Sequence, residues 1–266
     1  MGLTFDHHTH GQRVLFGTGA AVGNTIVAVT GLGAQRVLLI ADQFAVQIAD
    51  AIATRIPVVA RIHDIVQHVP IERARAAVAT AKDNAVDAVI TIGGGSSTGL
   101  AKIVARDTGL PIVAVPTTFA GSEATDVWGL TEARRKTTGV DPHVLPRIVV
   151  YDASLSASMP DQLAVSSGLN AVAHAIDGLW APRADPINRA LGTEGLRALI
   201  PGLRTMHANP DDGGEIGAWP LPLLSTYVLR GLEVCVPTRQ RARECPVVML
   251  SHPLPKGANA PAVTAR

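Results

Sequence analysis

The sequence predicts an α/β fold: a doubly wound parallel sheet over residues 1–158, then an incomplete α-helical domain over 159–208 and a divergent, disordered tail over 209–266. Three observations carry this expectation. Short apolar runs recur at Arg36–Ala41, Asp87–Ile92, Pro111–Val115 and Arg147–Tyr151. Each is continuous rather than alternating, as strands are when both faces of a parallel sheet are covered. Helix-compatible stretches lie between them, at Ile71–Asn84 and Ser97–Asp107, which implies right-handed strand–helix–strand crossovers. After Pro160 the strand pattern ends, and Asp161–Trp180 and Asp185–Leu199 read as helices, with Pro186 suited to the first turn of the second.

Composition narrows the class. The chain has 266 residues, 47% of them hydrophobic and 17% charged, which suits a folded protein with a substantial core. A formal net charge of +1 and an aromatic content of 3% give no basic surface and no stacking platform for nucleic acid. Met1–His10 lacks the basic and apolar halves of a signal peptide, and no apolar run reaches the length of a bilayer span, so no membrane role and a cytoplasmic location are expected. A disulfide between Cys235 and Cys245 is possible but unsupported.

The most informative segment is Gly93-Gly94-Gly95-Ser96-Ser97-Thr98-Gly99. It follows a buried strand and leads directly into a helix. That position gathers unpaired backbone N–H groups and the positive end of a helix dipole, a fitting seat for a pyrophosphate. Glycines let the backbone come close to phosphate oxygens, and Ser96 and Ser97 can cap the helix or donate to the ligand. A flexible Gly/Ser linker is the competing reading, and the strand-to-helix position opposes it. Alone, the loop specifies an anion site. Asp42 follows the Arg36–Ala41 strand, where a carboxylate could bond a ribose hydroxyl or simply cap a helix. Thr117 and Thr118 follow the Pro111–Val115 strand, at the edge where open parallel sheets bind ligands, or in an ordinary turn.

Five segments in order carry a family resemblance: Gly93–Lys102, Pro116–Glu123, Gly129–Glu132, Lys136–Thr138 and Ser167–Ala175. Arg13–Gly17 and Gln67–Pro70 also fit. Together the sequence resembles the maleylacetate reductases, a branch of the iron-containing alcohol dehydrogenase superfamily, over about residues 5 to 205. The resemblance implies a nucleotide-binding α/β domain followed by a helical catalytic domain. It implies NADH- or NADPH-dependent reduction of maleylacetate to 3-oxoadipate in aromatic-compound degradation, and a homodimer. Gly93, Gly94, Gly95, Ser96, Asp42, Thr117 and Thr118 are then the expected cofactor-binding residues. The substrate is a small dicarboxylate and needs cations, for which Arg135 and Lys136 are the candidates. A solvated surface turn is the plainer reading of Arg134–Lys136.

Asn170, His174 and Asp177 are spaced for one helix face. In the metal-dependent relatives the first of these positions is an aspartate that binds the ion together with the histidine. Asn170 has no charge to offer a divalent ion, so no metal is expected. His174 is then the candidate proton donor, with a hydrogen-bonded structural histidine as the alternative. Beyond about Ala208 the family pattern stops and a Pro- and Arg-rich ending follows, as a shifted reading frame or a truncation would produce. The tail is therefore expected to be foreign to the domain and to fold badly. Two other functions stay open: a metal-dependent alcohol or polyol dehydrogenase, and a catalytically impaired nucleotide-binding remnant.

Overall fold

The computed structural model describes residues 4–7, 11–133, 135–156, 159–181 and 184–208. The tail, both cysteines and Arg134 lie outside the described residues.

The chain begins with β1 (Arg13–Phe16), α1 (Ala21–Leu32), β2 (Val37–Ala41), α2 (Val46–Ala53), β3 (Val58–Ile62), α3 (Ile71–Asp83) and β4 (Ala88–Gly93). It continues through α4 (Gly95–Thr108), β5 (Ile112–Pro116), a hairpin of β6 (Val127–Glu132) and β7 (Arg135–Val140), and β8 (Ile148–Tyr151). A short α5 (Ala153–Ser156) leads to α6 (Asp161–Trp180) and α7 (Pro186–Ala208).

Six strands form one parallel sheet in the order β1-β8-β5-β4-β2-β3. Its central strands are buried at every position, which is why they read as unbroken apolar runs. Alternate side chains still choose opposite faces. Val37, Leu39 and Ala41 pack with Ala28, Ala49 and Ile52 of α1 and α2. Leu38 and Ile40 pack on the other face with Ala77, Leu100, Ile103 and Val104 of α3 and α4. The expected double winding is present.

Edge strands are less covered, and the sequence reading did not resolve them as strands. β3 keeps Arg61 exposed within Val58–Ile62, and β1 begins with exposed Arg13. The carboxylate of Asp152, just past β8, accepts from Gly19 N at 2.8 Å and Ala21 N at 2.9 Å, filling the N-terminus of α1. Burial pushes its pKa up, but these bonds and those from Ser154 outweigh burial and hold it below the ordinary aspartate value.

The helices after Pro160 form an antiparallel pair. Gly168 lies under Leu203, and Gly192 under Leu179, so the missing side chains let α6 and α7 approach closely. Phe119, Met159, Ala164, Ala171 and Leu199 fill the core between this pair and the sheet domain's loops. Two sequence expectations are corrected here. The second helix starts at Pro186, because the Asp185 carboxylate accepts from Ile187 N and Asn188 N as its cap. It also runs through Pro201 to Ala208 rather than stopping at Leu199; Leu199 and Leu203 keep packing on the α6 side across the proline.

Candidate functional site

The sheet order places a crevice between β2 and β4. From β2 the chain goes outward through α2 to β3, and from β4 it goes the opposite way through α4 to β5. The connections leave on opposite faces, so they open a gap above the strand ends, the position where open α/β sheets bind ligands. Asp42, Gly93–Ser96 and Thr117–Thr118 follow β2, β4 and β5, three adjacent strands, and the structure brings them together at this gap.

Gly93 ends β4 with φ +143°. A Cβ there would fall on the Asp42 carboxylate, and 2.5 Å from Ser97 Oγ. A Cβ on Gly94 would stand 3.2 Å from Thr118 Oγ1, and one on Gly95 3.2 Å from Ala120 Cβ. The loop is thus a packed turn and not a linker. The helix starts earlier than the sequence suggested. Gly94 is the N-cap, without a side-chain cap bond, and α4 begins at Gly95. Ser96 and Ser97 therefore sit inside the first turn and do not cap it, because Gly93 and Gly94 complete the turn by backbone conformation alone. The first amide to donate within the helix is Thr98 N, to Gly94 O at 3.2 Å, so the amides of Gly95, Ser96 and Ser97 have no intrahelical acceptor and this helix end presents donors toward the crevice.

Asp42 does two jobs. Its Oδ1 accepts from Phe44 N at 3.0 Å and Ala45 N at 3.1 Å, the cap alternative. Its Oδ2 accepts from Gly94 N at 3.3 Å, which ties the β2 loop to the glycine turn. Thr117 N donates to Gly93 O at 3.1 Å and adds the β5 loop. Arg135 and Lys136 are exposed on β7, where Lys136 pairs with Thr131 and its Cε crosses Gly129. Asn170, His174 and Asp177 share one partly exposed face of α6.

Sequence reasoning missed the polar groups buried beneath the site. Lys102 of α4 has no exposed surface, and Nζ donates to Thr125 O at 2.7 Å, Thr125 Oγ1 at 2.9 Å and Val127 O at 2.7 Å. Glu123 is buried as well; its Oε1 accepts from Tyr151 OH at 3.0 Å and its carbonyl from Gln12 Nε2 at 2.8 Å. The available signal was a lysine inside the apolar run Leu100–Val104. For Glu123 there was none, since a glutamate in a Gly/Ser loop reads as solvated.

Burial pushes the Glu123 carboxyl above the ordinary 4.5, against the opposing pull of its backbone bond, Tyr151 and Lys102. A raised folded-state pKa means the native chain holds this proton more tightly than the unfolded one. The resulting stability is complete below about pH 4.5 and is lost as pH rises through the folded value. Glu123→Gln keeps an acceptor for Tyr151 and cannot ionise. Thermal melts of both proteins across pH are expected to show the wild type losing ground to the variant above pH 4.5; parallel curves would contradict a raised carboxyl.

The fold and this crevice define an open, doubly wound α/β protein. The iron-containing alcohol dehydrogenase family matches residues 11–153, and the chain belongs to that family. It is 40% identical over 226 residues to a maleylacetate reductase of Pseudomonas sp. (strain P51), covering 82% of this chain and 63% of the relative. Among solved structures, an iron-containing alcohol dehydrogenase from Corynebacterium glutamicum ATCC 13032 superposes with a TM-score of 0.81 at 47% identity, over 88% of this chain and 65% of that one. Maleylacetate reductase from Rhizobium sp. strain MTP-10005 gives a TM-score of 0.81 at 35% identity, over 88% and 66%. The chain thus spans less than two thirds of the length of the curated relative it matches.

The family's description includes iron. Among the described residues no three His, Cys, Asp or Glu side chains gather as a metal site. On the α6 face the group one turn before His174 is the neutral amide of Asn170, a poor partner for a divalent ion. Among the described residues, no helix is long and apolar enough to cross a membrane.

Proposed function

We propose that this chain is an NAD(P)H-dependent reductase of maleylacetate, with residues 1–158 holding the cofactor and 159–208 beginning the catalytic helical domain. The observation that carries the cofactor half is the convergence of Asp42, Gly93–Ser96 and Thr117–Thr118 at the β2/β4 crevice, around an α4 N-terminus with donors to spare. In this reading the first-turn amides and Ser96 bind the pyrophosphate. Thr117 and Thr118 line the same cleft. Asp42 bonds a ribose hydroxyl, and its charge disfavours a 2′-phosphate, so NADH is preferred over NADPH.

When bound, the dihydronicotinamide supplies a hydride. The ketone survives in 3-oxoadipate, so the hydride adds to the alkene carbon β to that ketone, and the electron pair moves toward the ketone oxygen as an enolate. A proton on the neighbouring carbon completes the addition of two hydrogens across the double bond. His174 holds that proton, and Arg135 and Lys136 engage the substrate carboxylates. The reading extends to a cytoplasmic homodimer.

NADH consumption with maleylacetate and with simple aldehydes, each with and without added Fe or Zn, tests the reading. Metal-independent turnover of maleylacetate is expected. Turnover only of aldehydes, and only with metal, would replace it by an alcohol dehydrogenase; saturable NADH binding without turnover would leave a nucleotide-binding protein.

A further inference from the structure

Lys102 takes no part in the chemistry just described, yet it occupies a costly position. An ammonium group withdrawn from water loses its hydration, which hydrogen bonds must offset. A methionine would fill the same space without that cost. Three bonds from Lys102 go to one short stretch, Thr125–Val127. That stretch closes the connection that leaves β5 with Thr117 and Thr118. The other end of the connection is held at the turn that leads into α4: Thr117 N donates to the carbonyl of Gly93, the last residue of β4, and Thr118 packs against Gly94, the N-cap. Both ends of the Thr117–Thr125 segment are therefore fastened to one helix, by its N-cap turn and by its second turn. Between them, Gln12 and Tyr151 hold Glu123 to the β1 and β8 side of the sheet.

We infer that Lys102 is a positioning residue for the dinucleotide site, a buried strut that sets where Thr117 and Thr118 stand relative to the α4 N-terminus. The inference rests on the nucleotide reading above. It separates from a merely structural role because a plain packing residue, when lost, lowers stability but leaves the affinity of the folded chain intact. A strut alters affinity in chains that remain folded, since small displacements of binding groups are expensive.

The test is NADH fluorescence titration of the full-length chain, with melting temperature measured alongside, for the wild type, Lys102→Met and Thr125→Val. Thr125→Val removes one acceptor of Lys102 and the hydroxyl's 3.2 Å bond to Ser122 O, keeps the side-chain shape and leaves both carbonyl bonds to Lys102. Lys102→Met is expected to raise the NADH Kd by about tenfold or more at unchanged stoichiometry, and Thr125→Val by about two- to fivefold. A folded Lys102→Met protein with the wild-type Kd overturns the strut. If that variant does not fold, a wild-type Kd in Thr125→Val overturns it instead. A folded wild type with no saturable NADH binding overturns the nucleotide reading and this inference with it, and the wild-type titration run first tells the two failures apart.

Discussion

Replacing Gly93 by alanine is expected to abolish measurable NADH binding and to lower stability by about 2–4 kcal/mol. Two effects add. The backbone sits at φ +143°, where an L side chain is strained. The new methyl would also collide with the Asp42 carboxylate and stand 2.5 Å from Ser97 Oγ. Neither neighbour can yield freely. Asp42 is bonded to Phe44, Ala45 and Gly94, and Ser97 is buried in the first turn of α4. Relief requires moving the turn that presents the α4 amides, so binding suffers along with stability. Denaturant unfolding and NADH titration of the same preparation check both halves. A variant with wild-type stability and affinity would mean the turn is not the packed, strained element described.

The second large effect is expected at His174. His174→Gln should reduce maleylacetate turnover by about 10²–10⁴-fold, the usual contribution of a general acid, with the NADH Kd unchanged. The side chain is partly exposed on α6, and glutamine keeps a polar group of similar length there. Steady-state NADH oxidation, read beside the binding titration, separates the two quantities. Wild-type turnover would remove His174 from the mechanism and leave it a structural residue of α6.

The legible parts of this protein are those where burial is complete. β2, β4, β5 and β8 stand out because each residue is covered, so apolarity runs unbroken. β1 and β3 carry exposed arginines at the sheet's edges, and the β6–β7 hairpin is largely open to solvent on its second strand, so neither period nor apolarity marked them. The site divides the same way. A glycine turn between strand and helix is a backbone device, and backbone demands show in glycine placement. Asp42 was read as a ribose partner or a helix cap; its two oxygens serve the cap and the glycine turn, and the second contact was not foreseen. Lys102 and Glu123 escaped because their partners are a carbonyl-rich bend and a tyrosine brought from far along the chain. No local pattern encodes such a partnership. The second helix was read as ending at Leu199, yet α7 runs on past Pro201, a helix-breaking residue by itself, with Leu199 and Leu203 packed on either side of it.

The central claim is that the β2/β4 crevice binds a nicotinamide dinucleotide. NADH titration of the full chain in competition with ADP-ribose tests it most directly, since both ligands share the pyrophosphate and adenosine that the Gly93–Ser96 turn and Asp42 are assigned to hold. The account predicts saturable binding at one site per chain, displaced competitively by ADP-ribose and lost in Gly93→Ala. A folded wild-type chain that binds neither ligand, or a Gly93→Ala variant that binds both as the wild type does, would contradict it.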